Sequence, residues 1–282
     1  MASHRKLRAA AVVCAAVAVA GPAPAVARAA PPAAVGAPAP APSPDPFANL
    51  TPDEIADRAV AATQSATSLR MTGRVTADGE PLDIDFAVND RQECTGVMRI
   101  GGGTAELRRV DDITYMKGDE AFWRVSMASQ GMPEPQIDAT IELIKGRWLK
   151  IAPGQAGSGD LGGVCDLKGL LADLDEDEEQ RSGLVRGPDG ELDGTPVATL
   201  VKKKTGGETT GGETPGGETP RPETTTVSVS EEGKPYILKM VKTGGDEPGS
   251  MVLSDYDKPV KVVVPPADET VDLSKLDQGT PA

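Results

Sequence analysis

The sequence predicts an α+β protein built on one antiparallel β-sheet with a few packed helices. Three observations predict it. Apolar and polar residues alternate with period two in many short stretches, turn residues separate those stretches closely, and only three segments repeat their apolar residues at helical spacing.

The first helix opens at Thr51-Pro52-Asp53-Glu54. Thr51 suits the N-cap, Pro52 the first helical position and Glu54 the reciprocal partner of a capping box. Ile55, Ala59, Ala62 and Ala66 then give a thin apolar stripe suited to lie on a sheet. From Leu69 the period becomes two. Leu69, Met71, Gly73 and Val75 alternate with Arg70, Thr72, Arg74 and Thr76. After Asp78-Gly79, Leu82, Ile84, Phe86 and Val88 alternate with Asp83, Asp85, Ala87 and Asn89. Cys94, Gly96, Met98 and Ile100 continue the pattern as far as the turn Gly101-Gly102-Gly103. Residues 104–110, 112–117 and 121–126 supply three more strands, and the whole describes a meander.

A helical interlude follows. Beyond Pro133 and Pro135, Ile137, Ile141, Ile144 and Trp148 recur about once per turn, and Leu161 to Leu174 predicts a further helix carrying Cys165. Strands resume at 184–187, 196–203, 225–231, 236–242, 250–256 and 259–264. Between the second and third of these lies 205–226, with Gly-Gly-Glu-Thr at 206–209, 211–214 and 216–219, a polar low-complexity hairpin tip expected to be disordered. Glycosylation of its threonines is one reading; a tolerated loop expansion is the other. Strands on both sides of a central helical segment argue for one domain over 48–276, with 277–282 a fraying tail.

The N-terminus reads as an export signal over residues 1–29. Arg5, Lys6 and Arg8 precede an apolar run from Ala9 to Ala20, Gly21-Pro22 breaks it, and Ala27-Arg28-Ala29 fits a cleavage site. That run is shorter than the roughly 20 residues of a spanning helix. Cys14 is the alternative, as the attachment point of a membrane-anchored lipoprotein. Residues 30–47, rich in Ala and Pro, form an extended linker. The expected location is secreted or wall-associated, at most peripheral to a membrane, and the expected state is a monomer.

Cleavage after Ala29 removes four basic residues and no acidic one, so the 29 basic residues fall to 25 against 43 acidic, a formal charge of −18. A surface of that sign repels nucleic acid. The single histidine, His4, lies in the signal, which removes imidazole-based triads, general bases and His-bearing zinc sites from the mature chain. Cys94 and Cys165 are then the remaining cysteines, and in an oxidising compartment they pair, closing a loop of about 70 residues. Asp173, Asp175 and Asp177 begin like a calcium loop, but Glu178 stands where glycine is needed and Leu184 where a bidentate Glu is needed. Gly101-Gly102-Gly103 lacks the lysine of a phosphate loop and is a turn. No catalytic residue, metal site or cofactor is expected, and the protein is read as non-enzymatic.

The apolar strand faces are the remaining candidate site. If the sheet curls, Leu82, Ile84, Phe86, Met98, Ile100, Leu107, Leu238, Met240 and Leu253 point to one concave side, with Ile141 and Ile144 closing it. Long, adaptable side chains such as Met suit irregular apolar guests. The alternative, an ordinary filled core, places the same residues inward.

Several stretches carry a family resemblance: Leu50-Thr51-Pro52 through Ser65; Ser68-Leu69-Arg70-Met71-Thr72-Gly73; Gly102-Gly103-Thr104-Ala105-Glu106-Leu107; Ile113-Thr114-Tyr115-Met116-Lys117; and Leu253 to Val262 followed by Pro265-Pro266-Ala267. In this order, over residues 50–276, they resemble the LppX/LprG (LppX_LprAFG) family of actinobacterial envelope lipoproteins, related in fold to the LolA carriers. The resemblance implies a curved half-barrel with helices packed on its concave side. It also implies a cavity for the acyl chains of a lipid or glycolipid, exchange with envelope transport proteins, and no catalytic residues. The Gly-Gly-Glu-Thr repeat and the position of Cys14 depart from the family pattern. A sensor or protein-binding module of the same fold, without bound lipid, is the second functional reading.

Overall fold

Helix α1 (Pro52–Gln64) begins as its sequence dictates. The Glu54 backbone N–H donates to Thr51 Oγ1 (3.2 Å) and the Thr51 N–H donates to Glu54 Oε2 (2.8 Å), so both members of the capping box are in place. The computed structural model describes residues 45–77, 79–155, 163–176, 182–204, 221–245 and 247–274, all within one contiguous unit, Pro44–Ala282. The signal segment, Cys14, most of the linker, the Gly-Gly-Glu-Thr repeats and the tail 277–282 lie outside the described residues. The buried face of α1 is Ile55, Ala56, Ala59, Val60 and Thr63, rotated slightly from the expected stripe, with Ala62 half-buried. Phe47, on the linker side of the expected boundary, is also buried, its N–H donating to Asp45 Oδ1 (2.7 Å).

The meander follows as β1 (Ser68–Ala77), β2 (Glu80–Asn89), β3 (Cys94–Ile100), β4 (Gly103–Val110) and β5 (Ile113–Gly118). On its outer face Arg70 grips Asp85 and Arg74 grips Asp83 through two hydrogen bonds each, pinning the register of β1 against β2. On the inner face Gly96 is required: a Cβ there would lie 2.3 Å from the Phe86 ring, which occupies that space.

The expected strand over 121–126 is instead part of α2 (Glu120–Ser129). The reason is a cap made by tertiary structure. Asp119 Oδ1 accepts from the Phe122 N–H (2.8 Å), while its Oδ2 accepts from the Thr104 N–H on β4 (2.9 Å). Gly103 lets the α2 backbone approach, since a Cβ there would fall 2.1 Å from the Phe122 nitrogen. Helix α3 (Glu134–Ile144) buries Ile137, Ile141 and Ile144 as expected, and Arg124 ties it to α2 through Glu120, Glu134 and Asp138. Trp148 does not continue that helix. Gly146, at φ +71°, follows the helix C-terminus, and Trp148 starts β6 (Trp148–Ile151), its ring under the Arg108 guanidinium at 4.3 Å.

Cys165 lies just ahead of α4 (Leu167–Glu176) and is disulfide-bonded to Cys94, the first residue of β3, with 5.3 Å between Cα atoms. The expected stapling of this helix to the third strand is therefore present. The second block comprises β7 (Val185–Arg186), β8 (Gly190–Leu192), β9 (Thr195–Lys204), β10 (Glu223–Ser230), β11 (Ile237–Gly244) and β12 (Gly249–Ser254). The strand expected at 259–264 does not form. Residues 255–266 run as a strap held by Asp257 N–H to Ser68 O (3.0 Å) and Arg108 Nη1 to Val263 O (3.0 Å). Pro259, Pro265 and Pro266 lack the ladder donors a central strand needs. The strap delivers β13 (Thr270–Asp272), which pairs parallel to β6.

These strands form one open, curved sheet in the order β13-β6-β5-β4-β3-β2-β1-β12-β11-β10-β9-β7, antiparallel except at β13/β6, with β8 also on β9. Strand β1 joins the two blocks by pairing with both β2 and β12. One inner row runs in register through Val271, Leu149, Met116, Leu107, Gly96, Phe86, Met71 and Leu253. The core sits between this face and the helices. The fold is the α+β curved sheet that the sequence predicts.

Candidate functional site

The two blocks of the sheet are covered by different helices. Helix α2 packs on β3–β5 and α3 packs on α2, and Phe122, Trp123, Ile137, Ile141 and Ile144 of the two helices are all buried. Helix α1 packs on β11 and on α4, and of its buried residues the small Ala56, Ala59 and Val60 face β9–β11 across a space. The second cover leaves space.

A cavity of about 130 Å³ lies between α1 and β9–β11, lined by Ala56, Ala59, Val60, Leu174, Leu184, Leu200, Val227, Ile237 and Met240. A larger one of about 370 Å³ lies beside α4, lined by Met71, Val75, Leu167, Leu170, Leu171, Leu174, Met240, Met251 and Leu253. They share Leu174, Thr225 and Met240. The larger falls within the size range of small-ligand pockets, about 300–1,000 Å³. A third, more polar cleft of about 340 Å³ adjoins Leu167 and Leu171 between Gln64–Thr67 and Lys168.

The expected site residues divide accordingly. Met240 lines both apolar cavities and Leu253 the larger. Phe86, Leu107, Ile141 and Ile144 are at most 2% exposed and belong to the packed core, with Ile84, Met98 and Ile100 half-buried against it. Leu82 pairs with Val75 of the larger cavity on one side and Ile100 on the other. Leu238 lines neither cavity: the register between β10 and β11 shifts at Ser228/Val229, and Ile237 takes the buried position. The lining contributed by α1, α4 and β9 was not singled out from the sequence. The small-residue face Ala56/Ala59 was its one available signal.

A polar lock holds the base of the smaller cavity. The Ile237 N–H donates to Thr63 Oγ1 (3.0 Å), and the Tyr256 hydroxyl donates to Ile237 O. Burial pushes the Tyr256 phenol well above its usual range, and its ring stacks on Tyr236 at 4.0 Å. Tyr236 in turn donates to Asp257 Oδ2 (2.6 Å), while the Thr67 N–H donates to Asp257 Oδ1 (2.9 Å). These hydrogen bonds, with Tyr236 the largest cause, hold the Asp257 carboxyl well below the usual carboxylate range. Gln64 Nε2 donates to Leu171 O (3.1 Å), joining α1 to α4 at the third cleft. Among the described residues, no three His, Cys, Asp or Glu side chains are grouped to hold a metal, and no helix is long and apolar enough to cross a membrane.

No family model matches the chain, and no curated protein matches it. Solved structures do. LprF from Mycobacterium bovis is 13% identical, with a TM-score of 0.49 over 76% of this chain and 96% of that one. The Mycobacterium tuberculosis lipoprotein LppX is 15% identical, with a TM-score of 0.43 over 75% and 98%. Both are members of the family that the sequence resembles. The Pseudomonas aeruginosa MucA/MucB complex also matches, at 12% identity and a TM-score of 0.30, over 77% of this chain and 59% of that one. Identities this low leave function to be reasoned from the chain's own residues.

Proposed function

We propose that this protein is an exported, non-enzymatic carrier that shelters the acyl chain of a lipid or glycolipid in the joined cavities between α1, α4 and β9–β12. The observation that carries this reading is the pair of apolar cavities meeting at Met240, Leu174 and Thr225. An alkyl chain entering there gains about 0.8 kcal/mol per buried methylene, so eight methylenes supply roughly 6 kcal/mol before the costs of association. Of the residues expected to bind the chain, Met240 and Leu253 are retained as contacts. Phe86, Leu107, Ile141 and Ile144 line neither cavity and belong to the packed core.

Native mass spectrometry of the protein purified from its own envelope tests the proposal. A stoichiometric co-purifying lipid is the expected result. A ligand-free protein that also takes up no added lipid overturns it, leaving a protein-binding module of the same fold.

A further inference from the structure

Helix α4 lines the larger cavity with one whole face. Leu167, Leu170, Leu171 and Leu174 recur at helical spacing, and all four look into that cavity opposite Met71 of β1 and Met251 of β12. Lys168 and Ala172, on the other side of the helix, are exposed. Among the described elements, the close packing partner of α4 is α1.

One end of the helix is anchored. Cys165 is bonded to Cys94 on β3, which lies two strands from β1, the nearest strand that lines the cavity. At about 4.8 Å per strand the anchor stands roughly 10 Å to one side of the space it covers. The Leu170 N–H donates to Asp166 O (2.9 Å), so helical hydrogen bonding starts at the residue next to the anchor and the two move as a body. Along its length α4 receives the Gln64 amide on Leu171 O (3.1 Å). At the far end Leu174 lines both cavities.

We infer that α4 is a lid over the joined cavities and that the Cys94–Cys165 bond is its hinge, holding one end fixed while the Leu174 end lifts to pass a ligand. This rests on the carrier reading above and adds the element that controls entry and release. The bond then has a second role besides stability. A cross-link that only stabilised the fold would act through the unfolded chain and leave the escape of a bound ligand unchanged, whereas a hinge sets the rate of that escape.

The test loads the purified protein with the neutral dye Nile red and adds excess dodecyl maltoside below its micelle concentration. The loss of fluorescence gives the rate of dye dissociation. In the double variant Cys94→Ser/Cys165→Ser, dissociation is expected to be at least about tenfold faster, because the leucines of α4 no longer stay closed on the guest. Leu107→Ala, destabilised at a core position away from the cavities, is expected to release the dye at the parent's rate. Gln64→Ala keeps the disulfide and is expected to speed release about threefold, the worth of one hydrogen bond; it decides the matter where the double variant does not fold. A parent-like rate in the double variant, or in Gln64→Ala where that one alone folds, overturns the lid and leaves the carrier reading standing. An equal acceleration in Leu107→Ala overturns the lid as well. A parent that takes up no Nile red overturns both.

Discussion

Substituting Met240→Trp distinguishes a hollow interior from a filled one. Met240 faces both apolar cavities and pairs with Val227 on one side and Met251 on the other, so an indole at this position projects into the shared space. In a filled core the added bulk would force neighbours off their rotamers at a cost of about 1–3 kcal/mol. Here space exists, and burial of the extra ring offsets the loss of the thioether, so folding stability is expected to stay within about 0.5 kcal/mol of the parent. Ligand binding responds in the opposite way. An indole displaces roughly four methylenes of bound chain, about 3 kcal/mol, so affinity falls on the order of a hundredfold. Urea unfolding gives the first quantity and Nile red displacement the second. A variant destabilised by more than about 1 kcal/mol, made in a parent that takes up no alkyl ligand, would refute the cavity reasoning.

On the packed side of the sheet, Leu107→Ala is expected to cost about 2–5 kcal/mol, because Leu107 is wholly buried, while the folded fraction keeps the parent's ligand affinity; urea midpoints and binding isotherms check this pair. Cys165→Ser opens a loop of 71 residues and is expected to lose about 4 kcal/mol, a loss that reduction of the parent with dithiothreitol should reproduce in the same unfolding assay. Asp257 has a folded pKa depressed below its unfolded value near 3.8, so its contribution is fully present above that value and is lost as pH falls below it. The parent should therefore lose more stability between pH 6 and pH 3 than Asp257→Asn does. An equal loss in both would show that the hydrogen bonds from Tyr236 and Thr67 do not act through the ionised carboxylate.

The strands were legible where one face is buried, because a period of two admits no other arrangement of Leu69, Met71 and Val75 or of Ile84, Phe86 and Val88. The opening helix was legible because its cap is local: Thr51 and Glu54 need only each other. What escaped depended on distant residues. The 121–126 segment is helical because Asp119 caps it while also binding the Thr104 N–H, a contact between elements that no window of sequence contains. Residues 259–264 carry a strand's composition but cross the sheet as a strap, and short β13 is a strand only because β6 is there to pair with it. Within the site, strict alternation groups Leu238 with Met240. The register shift at Ser228/Val229 breaks that alternation and turns Ile237 inward in its place.

The location of the cavity was the least legible feature, and the reason is physical. Long apolar residues occur along both blocks of the sheet, so the strands alone give no reason for these two cavities to lie beside β9–β12. The helices decide it. Helix α2 packs on β3–β5, and the branched and aromatic side chains of α2 and α3 are buried in the core that also holds Phe86 and Leu107. On α1, the short side chains Ala56, Ala59 and Val60 line the smaller cavity together with Leu200, Val227 and Met240 of the strands. The hydrogen bonds of Thr63, Tyr256 and Asp257 fix the end of α1 to Ile237 and the strap. A void bounded by a fixed helix and a fixed sheet stays open, and the side chains of Met240, Met251 and Leu174 are those best able to repack around whatever enters it.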